Sequence, residues 1–389
     1  MKVLVVTHEF PPYFYGGHGT YALDLSKALS AKGVDVIVVC GRSRTPFWEK
    51  TGKLAVLRVN FPDLPPRNMW FSLANSDQIC RLARKVDVIH VQPTSSSFLI
   101  HRIIRESGRR VVATIDGSYT EMMRCISRLP INKTPLAEYV FGIVEAPLRT
   151  RMRDLDITTS SHLAVQAAHV EHEIVSRHGT SVANRISIIP SAIDFDELIP
   201  LLDESCDSPD LRQAVFVGRL YSSKGILFAV QAMRSIVHDL GISDIVLSVI
   251  GSGPALPAIV RLVRAHHLER FVQIFGHLPR RRVLKTMASA NALVLPSLYE
   301  ACPRVLLEAK ALGLPTVVFD LPWAREFVGL GIRSQTARPF DEVDLAHKIV
   351  AACDTQKIER GALKELEAFD MNKVADRLID VYSALRDST

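Results

Sequence analysis

The chain has 389 residues, of which 48% are hydrophobic and 23% are charged. This ordinary globular composition excludes a disordered or collagen-like chain. At roughly 150 residues per domain, the length predicts two domains. No apolar run approaches the roughly 18–20 residues of a membrane-spanning helix. The first apolar run turns polar at Thr7, too soon for a secretory signal, so we expect a cytoplasmic protein.

Charge and cysteine usage bear on the binding partners and on disulfide or zinc sites. The net charge is +6, and residues 1–200 carry 24 Lys and Arg against 19 Asp and Glu. Such an excess suits anionic phosphates, an anionic membrane surface or nucleic acid, and equally an ordinary solvated surface. The six cysteines are scattered without a CxxC pair, which argues against a disulfide framework or a zinc site.

Short β-branched runs alternate with helical patterns through the first half. The predicted strands are Lys2–Val6, Val34–Cys40, Val86–Val91, Arg110–Ile115, Asp156–Ser160 and Ile186–Ile189. The first helix is predicted over Tyr21–Ala31, where apolar residues recur at helical spacing. Because most strand runs are continuously apolar, we expect a parallel sheet that is buried on both faces.

Residues 200–213 are polar and rich in turn formers, which predicts a linker. The strand–helix rhythm then restarts. The predicted strands are Ala214–Val217, Ile245–Ile250, Phe271–Phe275, Leu293–Leu295 and Thr316–Phe319, and the predicted helices are Ile226–Val237, Ala255–Ala265, Arg280–Ser289, Arg304–Leu312, Val343–Cys353 and Asn372–Arg386. The fold class is therefore α/β: two doubly wound Rossmann-like domains, 1–199 and 214–371, that face each other across a cleft. The C-terminal helix at 372–389 is a candidate to pack back on the first domain.

The first strand is followed by a glycine-rich turn that opens the first helix. Gly16 and Gly17 stand at this point. Glycine lets a ligand approach the backbone closely, and a helix N-terminus offers N–H groups and a partial positive charge. A phosphate cradle and a simple tight turn both fit this pattern.

Two more loops in the second half have the same strand–loop–helix setting. Gly218 and Arg219 begin one of them and Lys224 ends it. The planar guanidinium of Arg219 and the ammonium of Lys224 are therefore available to bind a diphosphate. A solvated basic loop is the alternative. Gly251 and Gly253 begin the other, where a plain turn is the simpler interpretation.

The most informative segment runs from Glu300 to Glu308. Glu300 stands in a polar turn and Glu308 follows eight residues later, about two turns into the next helix. Carboxylates accept hydrogen bonds from sugar hydroxyls. The backbone N–H groups of Ala301, Cys302 and Arg304 are candidates to bind sugar or phosphate oxygens. An acidic first turn with a structural glutamate is the alternative.

In this order and spacing, these glycine, cation and carboxylate positions resemble the retaining glycosyltransferases of family 4, which have the GT-B architecture. The resemblance covers nearly the whole chain, and its most specific parts are the two glutamates and the Arg219 to Lys224 loop. It implies a nucleotide-diphosphosugar donor of UDP or GDP type, held mainly by the second domain. It also implies that a hexose-type sugar moves to a glycan or lipid-linked acceptor on the first domain.

The resemblance assigns roles to individual positions. Arg219 and Lys224 would neutralise the leaving diphosphate, and preorganised cations of this kind stabilise developing negative charge. Glu308 would hold the ribose hydroxyls, while Glu300 and the amides after it would orient the transferred sugar. Gly17 would approach the phosphates from the opposite domain.

A departure from the family pattern follows the predicted strand Arg110–Ile115. Such enzymes often carry a histidine after the strand that ends here at Ile115, and this chain has Asp116 instead. An aspartate accepts a hydrogen bond from a hydroxyl but is a poor proton store near neutral pH. We count Asp116 among the candidate catalytic residues.

Cofactors and partners follow from the same comparison. The family needs no divalent metal, and we interpret His169, His172 and Glu173 as a solvated helix face. We therefore expect no metal and no cofactor, and no nucleic-acid partner. Basic and apolar residues mix along the first half and suggest peripheral contact with an anionic membrane, or a helix with snorkelling arginines. The arginines concerned are Arg102, Arg105, Arg109, Arg110, Arg149, Arg151 and Arg153.

Two further hypotheses stay open at this point. A GT-B nucleotide-sugar epimerase would use the same donor site without an acceptor. A basic nucleic-acid-binding or scaffold protein would have lost activity, and it would show steeply salt-dependent binding. The sequence leaves open the donor base, the sugar, the acceptor and the oligomeric state.

Overall fold

The computed structural model describes the chain except for residues 13–16, 42–45, 65, 93–96, 116, 130–134, 136–137, 140, 203–210, 333, 356–361 and 388–389. The chain forms two compact units. Unit 1 comprises Met1–Tyr119, Val144–Ala192 and Ala368–Thr389. Unit 2 comprises Thr120–Ile143 and Ile193–Glu367.

Unit 1 is built on an eight-stranded sheet. Its strands are β1 (Lys2–Val6), β2 (Asp35–Gly41), β3 (Phe47–Thr51), β4 (Leu54–Val59), β5 (Val88–Val91), β6 (Arg110–Ile115), β7 (His162–Val165) and β8 (Ile186–Ile188). They lie in the order β3-β4-β2-β1-β5-β6-β7-β8. Neighbours are parallel except β3 and β4, which are antiparallel. The central strands are buried along their length, as their apolar runs predict.

The helices of unit 1 lie between these strands in the chain. They are α1 (Gly17–Ala31), α2 (Arg67–Ala83), α3 (Ser97–Ser107), α4 (Tyr119–Ile126, of which only Tyr119 lies in unit 1), α5 (Ala146–Thr159) and α6 (Ala168–His178). A π-helical turn at Phe141–Glu145 leads into α5, and a 3₁₀ helix at Thr180–Arg185 precedes β8.

Unit 2 is built on a six-stranded sheet in which neighbouring strands are parallel. Its strands are β9 (Arg212–Val217), β10 (Ile245–Ile250), β11 (Val272–Gly276), β12 (Ala292–Leu295), β13 (Thr316–Phe319) and β14 (Ser334–Ala337). They lie in the order β11-β10-β9-β12-β13-β14. Both units are thus Rossmann-like parallel sheets with helical connections, and the predicted fold class is confirmed.

The helices of unit 2 complete the layers around that sheet. They are α7 (Phe195–Leu202), α8 (Ile226–Arg234), α9 (Leu256–Ala265), α10 (Arg280–Ser289), α11 (Arg304–Ala311), α12 (Pro322–Gly329) and α13 (Glu342–Cys353). Shorter turns are a 3₁₀ turn at Ser222–Lys224, a π-helical turn at Ser235–Asp239 and a 3₁₀ helix at Ala362–Phe369. The last helix of the chain, α14 (Met371–Asp387), lies in unit 1.

One predicted strand is wrong. Residues Asp156–Ser160 are expected as a strand, but Asp156 to Thr159 are the last turn of α5, and the strand is β7. The β-branched run misleads because tertiary contacts override propensity. Thr158 and Thr159 donate their hydroxyls to carbonyls of the preceding helical turn, at 3.0 and 2.6 Å, so both hydroxyls have partners within the helix.

The domain boundaries also differ from the expected ones. Unit 2 begins at Ile193, within the predicted first domain, and it includes residues 120–143. The predicted linker at 200–213 is partly regular, since α7 runs to Leu202 and β9 begins at Arg212. Residues 203–210 lie outside the described part. The last residues of α7 fall inside the segment that composition marks as a linker. A boundary drawn from composition alone therefore misses the end of this helix.

The C-terminal helix α14 packs into the core of unit 1. Val374, Leu378 and Tyr382 are buried among the residues of β1, β2 and α1. The Tyr382 hydroxyl lies 2.5 Å from Nδ1 of His90 on β5, and Nε2 of the same ring lies 2.8 Å from the Thr114 hydroxyl on β6. Both ring nitrogens of a fully buried histidine therefore have hydroxyl partners.

Several arginines of the suggested membrane-facing set are neutralised within unit 1. Arg153 is 1% exposed and pairs with Glu173 at 2.5 Å, so this glutamate of the supposed solvated helix face is engaged. Arg149 pairs with Glu145 at 3.0 Å. Peripheral membrane contact stays a prediction. Within the described residues, no helix is long and apolar enough to cross a bilayer.

Burial makes the stability of unit 1 dependent on pH. Burial lowers the pKa of His90 to about 3, so the ring is neutral in the folded state down to low pH. An unfolded histidine binds a proton near pH 6.5. Lowering the pH from 7 to 5 therefore favours the unfolded state, by about 2 kcal/mol in total for one such group.

We expect the melting temperature to fall between pH 7 and pH 5, and the fall to be smaller in a His90→Gln variant. Scanning calorimetry at both pH values measures it. An equal fall in the variant and the wild type would show that His90 is not a source of the pH dependence.

Candidate functional site

The loop after β9 carries three of the predicted site residues and is held by close backbone contacts. Gly218 and Arg219 follow β9, the Ser222–Lys224 turn comes next, and Gly225 adopts a left-handed conformation (φ 70°) before α8. A Cβ atom on Gly225 would lie 1.9 Å from the carbonyl oxygen of Pro296. Only glycine lets these two backbone segments approach this closely.

The loop between β10 and α9 packs against the same segment. A Cβ atom on Gly251 (φ 144°) would lie 1.8 Å from the carbonyl oxygen of Gly218. The Gly218 N–H donates to the Ile250 carbonyl at 3.0 Å, and the Gly251 N–H donates to the Gly276 carbonyl at 2.8 Å. These two predicted donor-binding residues therefore serve backbone packing with their own N–H groups. Gly253 lies two residues further along the same loop.

We expect Gly251→Ala to destabilise unit 2 by roughly 3 kcal/mol or more, because no side chain can move to relieve a clash between backbone atoms. Gly218→Ala is the matched control, since a Cβ atom there would meet its nearest neighbour at 3.8 Å. Urea unfolding of the full chain measures both. Equal stability of the two variants would contradict the packing role of Gly251.

Lys224 and Glu300 are brought into direct contact. The ammonium of Lys224 lies 2.7 Å from each carboxylate oxygen of Glu300, and the Ser297 hydroxyl donates to one of them at 2.7 Å. The side chains are 25% and 11% exposed, so the pair is partly shielded from water. The Trp323 indole donates to the Ser297 carbonyl at 3.3 Å and anchors this turn. The geometry fixes a cation and a carboxylate side by side at the carboxyl edge of the sheet.

Arg219 stands on the same loop as Lys224. Its guanidinium carbon lies 5.0 Å from the centre of the Tyr221 ring, in cation–π distance. The side chain is exposed. It makes no ion pair with any residue that the structure describes, so its charge is available at the surface of the loop.

The turn from Glu300 to α11 carries the predicted amides. Ala301 and Cys302 lie in the turn and Arg304 is the first residue of α11, as the sequence predicts. Leu306 and Leu307 donate their N–H groups to the Pro303 carbonyl, so their first-turn donors are satisfied. The helix places Glu308 one turn further in.

Glu308 is buried and paired with an arginine that the sequence analysis missed. It is 3% exposed, and its Oε1 lies 2.8 Å from Nη1 of Arg280, the first residue of α10. Nε of Arg280 also donates to Oε2 of Glu197 on α7 at 2.9 Å. No local pattern signals a contact between residues so far apart in the chain.

Glu138 is a second site-adjacent carboxylate that the sequence analysis missed. It is 2% exposed, and its Oε1 accepts a hydrogen bond from the Ser222 N–H at 2.8 Å. Burial raises the pKa of Glu138, and hydrogen bonds from Ser222 oppose the rise. Glu138 is thereby tied to the loop that carries Lys224.

The residues predicted in the first domain are only partly described. Gly17 begins α1 and has open space around its α-carbon, whereas Gly16 and Asp116 lie outside the described residues. Next to β1, burial lowers the pKa of His8 to about 4; Glu9 opposes the shift and nearby cationic groups add to it. His8 is thus a neutral group at the carboxyl end of β1.

Comparison with known families agrees with this arrangement. Residues 15–197 match the model described as Glycosyltransferase Family 4, and residues 206–365 match the model described as Glycosyl transferases group 1. The two matches follow one another and together span most of the chain.

Relatives align along nearly the whole chain at low identity. A glycogen synthase of Mycobacterium tuberculosis is 25% identical over 407 aligned residues, covering 99% of this chain and 95% of the relative. A D-inositol 3-phosphate glycosyltransferase of Xylanimonas cellulosilytica is 23% identical, covering 95% of this chain and 91% of its own length.

Solved structures share the fold. A sucrose-phosphate synthase from Thermosynechococcus elongatus has a TM-score of 0.81 at 17% identity and covers 100% of both chains. Anabaena HepE, solved in complex with UDP-glucose, has a TM-score of 0.72 at 15% identity, covering 99% of this chain and 100% of that one. The architecture, with these loops at the carboxyl edge of the second sheet, is that of a GT-B glycosyltransferase. The chain belongs to the family 4 type of these enzymes.

Proposed function

We propose that this glycosyltransferase moves a hexose-type sugar from a nucleotide-diphosphosugar of UDP or GDP type to a glycan or lipid-linked acceptor, with retention of the anomeric configuration. The observation that carries the proposal is the contact of Lys224 with Glu300, at 2.7 Å to both carboxylate oxygens, on the loop that also presents Arg219. Cleavage of a sugar–phosphate bond needs a cation for the leaving group and a carboxylate near the sugar, and this pair provides both.

Charge development along the reaction explains why these groups belong together. The leaving diphosphate gains negative charge while the sugar gains oxocarbenium character. Fixed cations in a partly shielded site stabilise the first without reorganising at the moment of reaction. Lys224 and Arg219 are the cations. The carboxylate of Glu300, oriented by the Ser297 hydroxyl, accepts hydrogen bonds from the sugar when the diphosphate takes over Lys224.

The nucleotide is held by Glu308 in this proposal. Its buried carboxylate, on the helix that follows the sugar-binding turn, accepts hydrogen bonds from the ribose hydroxyls. Support for a nucleotide-sugar donor comes from the fold shared with HepE, which was solved with UDP-glucose. A glycan acceptor is supported by the likeness to a glycogen synthase, and a lipid-linked one by a galactosyltransferase named for an undecaprenol diphosphate substrate, which is 26% identical over 35% of this chain.

Retention of configuration follows from attack on the same face that the leaving group departs from. The oxygen of the leaving phosphate accepts the proton of the acceptor hydroxyl, so the enzyme needs no nucleophile and no metal. Asp116 is proposed to accept a hydrogen bond from a sugar or acceptor hydroxyl.

The test begins with a thermal-shift panel of UDP, GDP, ADP and dTDP sugars, since a ligand that binds only the folded state raises its melting temperature. With the donor so found, we expect Lys224→Ala to lower kcat for donor cleavage by roughly 100- to 1,000-fold, because the leaving group loses a fixed cation. Glu308→Ala should weaken donor binding. Product release is followed as free nucleoside diphosphate, and the anomeric configuration by NMR.

Arg234→Ala is the matched control. Arg234 pairs with Asp239 at 2.9 Å at the far end of α8, away from the carboxyl edge of the sheet, so its loss should leave turnover unchanged. The proposal is wrong if Lys224→Ala and Glu308→Ala both keep wild-type activity. An inverted product would overturn the retaining mechanism alone.

A further inference from the structure

The guanidinium of Arg280 bridges two carboxylates that come from different parts of unit 2. Nε donates to Glu197 at 2.9 Å and Nη1 lies 2.8 Å from Oε1 of Glu308. Glu197 is 45% exposed and Glu308 is 3% exposed, so the bridge runs from the surface of the unit to a buried group. A planar fork that is held at one end by Glu197 can fix the position of the carboxylate at the other end.

The contact with Arg280 fixes the position of the Glu308 carboxylate and leaves its Oε1 able to accept a further hydrogen bond. Oε1 of Glu308 and Nη2 of Arg280 are both buried, and neither has a well-directed hydrogen bond to any residue in the described part of the chain. A carboxylate oxygen has two lone pairs, so the 2.8 Å contact with Nη1 leaves Oε1 able to accept another hydrogen bond, and Nη2 keeps a donor. Buried polar atoms of this kind normally have partners, which points to a ligand with hydroxyl groups.

Arg280 stays positively charged in its partly buried position. Burial acts to lower its pKa, but the carboxylates of Glu308 and Glu197 outweigh burial and raise the pKa above the ordinary value. The guanidinium therefore keeps its positive charge beside Glu308.

We infer that Arg280 is a positioning residue that aims the Glu308 carboxylate at the ribose of the donor and so makes the site selective for ribonucleotides. The inference rests on the proposed function, in which Glu308 binds the ribose hydroxyls. Arg280 holds Oε1 in place, Glu308 accepts hydrogen bonds from the two vicinal hydroxyls, and Nη2 of Arg280 donates to one of their oxygens. A nucleotide without the 2′-hydroxyl leaves part of this buried set unsatisfied.

The chain offers a closely matched control. Arg212 also bridges two carboxylates in unit 2, Asp244 at 2.8 Å and Asp354, and it is 25% exposed against 29% for Arg280. Arg212 is the first residue of β9, at the opposite edge of the sheet from the loops of the candidate site. Removing it breaks the same kind of bridge without touching the proposed ribose site.

The experiment compares binding of ribonucleotides and 2′-deoxyribonucleotides by titration calorimetry on the full chain. The probe pairs are UDP with 2′-deoxy-UDP and GDP with 2′-deoxy-GDP. We expect the wild type and Arg212→Gln to prefer the ribonucleotide by roughly 10- to 100-fold, the loss that follows when a charged acceptor is left without its hydrogen bond. Arg280→Gln should reduce the preference to about threefold or less, and Arg280→Lys should restore part of it.

The outcomes separate this inference from the proposed function. If Glu308→Gln loses the preference but Arg280→Gln keeps it at the wild-type level, the positioning role is overturned and the ribose role of Glu308 stands. If Glu308→Gln keeps the preference, the ribose assignment fails, and the inference fails with it. Should Arg280→Gln not fold, the ratio measured for Arg280→Lys decides, because an ammonium cannot bridge both carboxylates; an unreduced ratio overturns the inference.

Discussion

The candidate site depends on backbone segments that touch without side chains between them. At Gly225 and Gly251 a single added carbon would meet a carbonyl oxygen of a neighbouring loop at less than 2 Å. These contacts bind the loop after β9 to the loops after β10 and β12. Because the loop cannot move independently, the position of the Lys224 backbone is set by the sheet.

The charged groups of the site are arranged as pairs held by a third group. Lys224 and Glu300 are supported by Ser297, and Arg280 and Glu308 are supported by Glu197. Partly buried charges are tolerated only when they are paired, so removal of one partner would destabilise unit 2. The same pairing keeps each carboxylate oriented. In the proposed reaction, the phosphates and hydroxyls of the ligand replace polar partners that the charged side chains already have. No side-chain charge then has to be transferred from water into the site when the ligand binds.

The sequence predicts the elements that have a local signal better than those that depend on contacts between residues far apart in the chain. The buried strands β1 and β10 are predicted to the residue, because a continuous apolar run is a local signal that a parallel sheet requires. Strands β3 and β14 lie at sheet edges and carry exposed or polar residues, so no such signal marks them. The run Asp156–Ser160 shows the converse error, where β-branched residues serve as the end of a helix.

The candidate site follows the same division. Arg219, Lys224, Glu300 and Glu308 stand out by their place between a strand and a helix and by resemblance to a family. The contact of Lys224 with Glu300 brings together two of them. Arg280, Glu197 and Glu138 have no local signal, because their roles arise from packing between elements far apart in the chain. Gly251 shows a further limit. A glycine in such a loop suggests ligand binding, but in the structure the carbonyl of Gly218 lies where a Cβ atom of residue 251 would be.

Helix α14 gives unit 1 a discontinuous chain. The core around β1 and β2 is closed by Val374, Leu378 and Tyr382, which are made after the whole of residues 193–367. During synthesis on the ribosome, unit 2 has all its strands before unit 1 has its last core layer. The earlier segments of unit 1 therefore keep an unfilled apolar face until α14 has been made, and only then does the Tyr382 hydroxyl complete the buried polar set at His90.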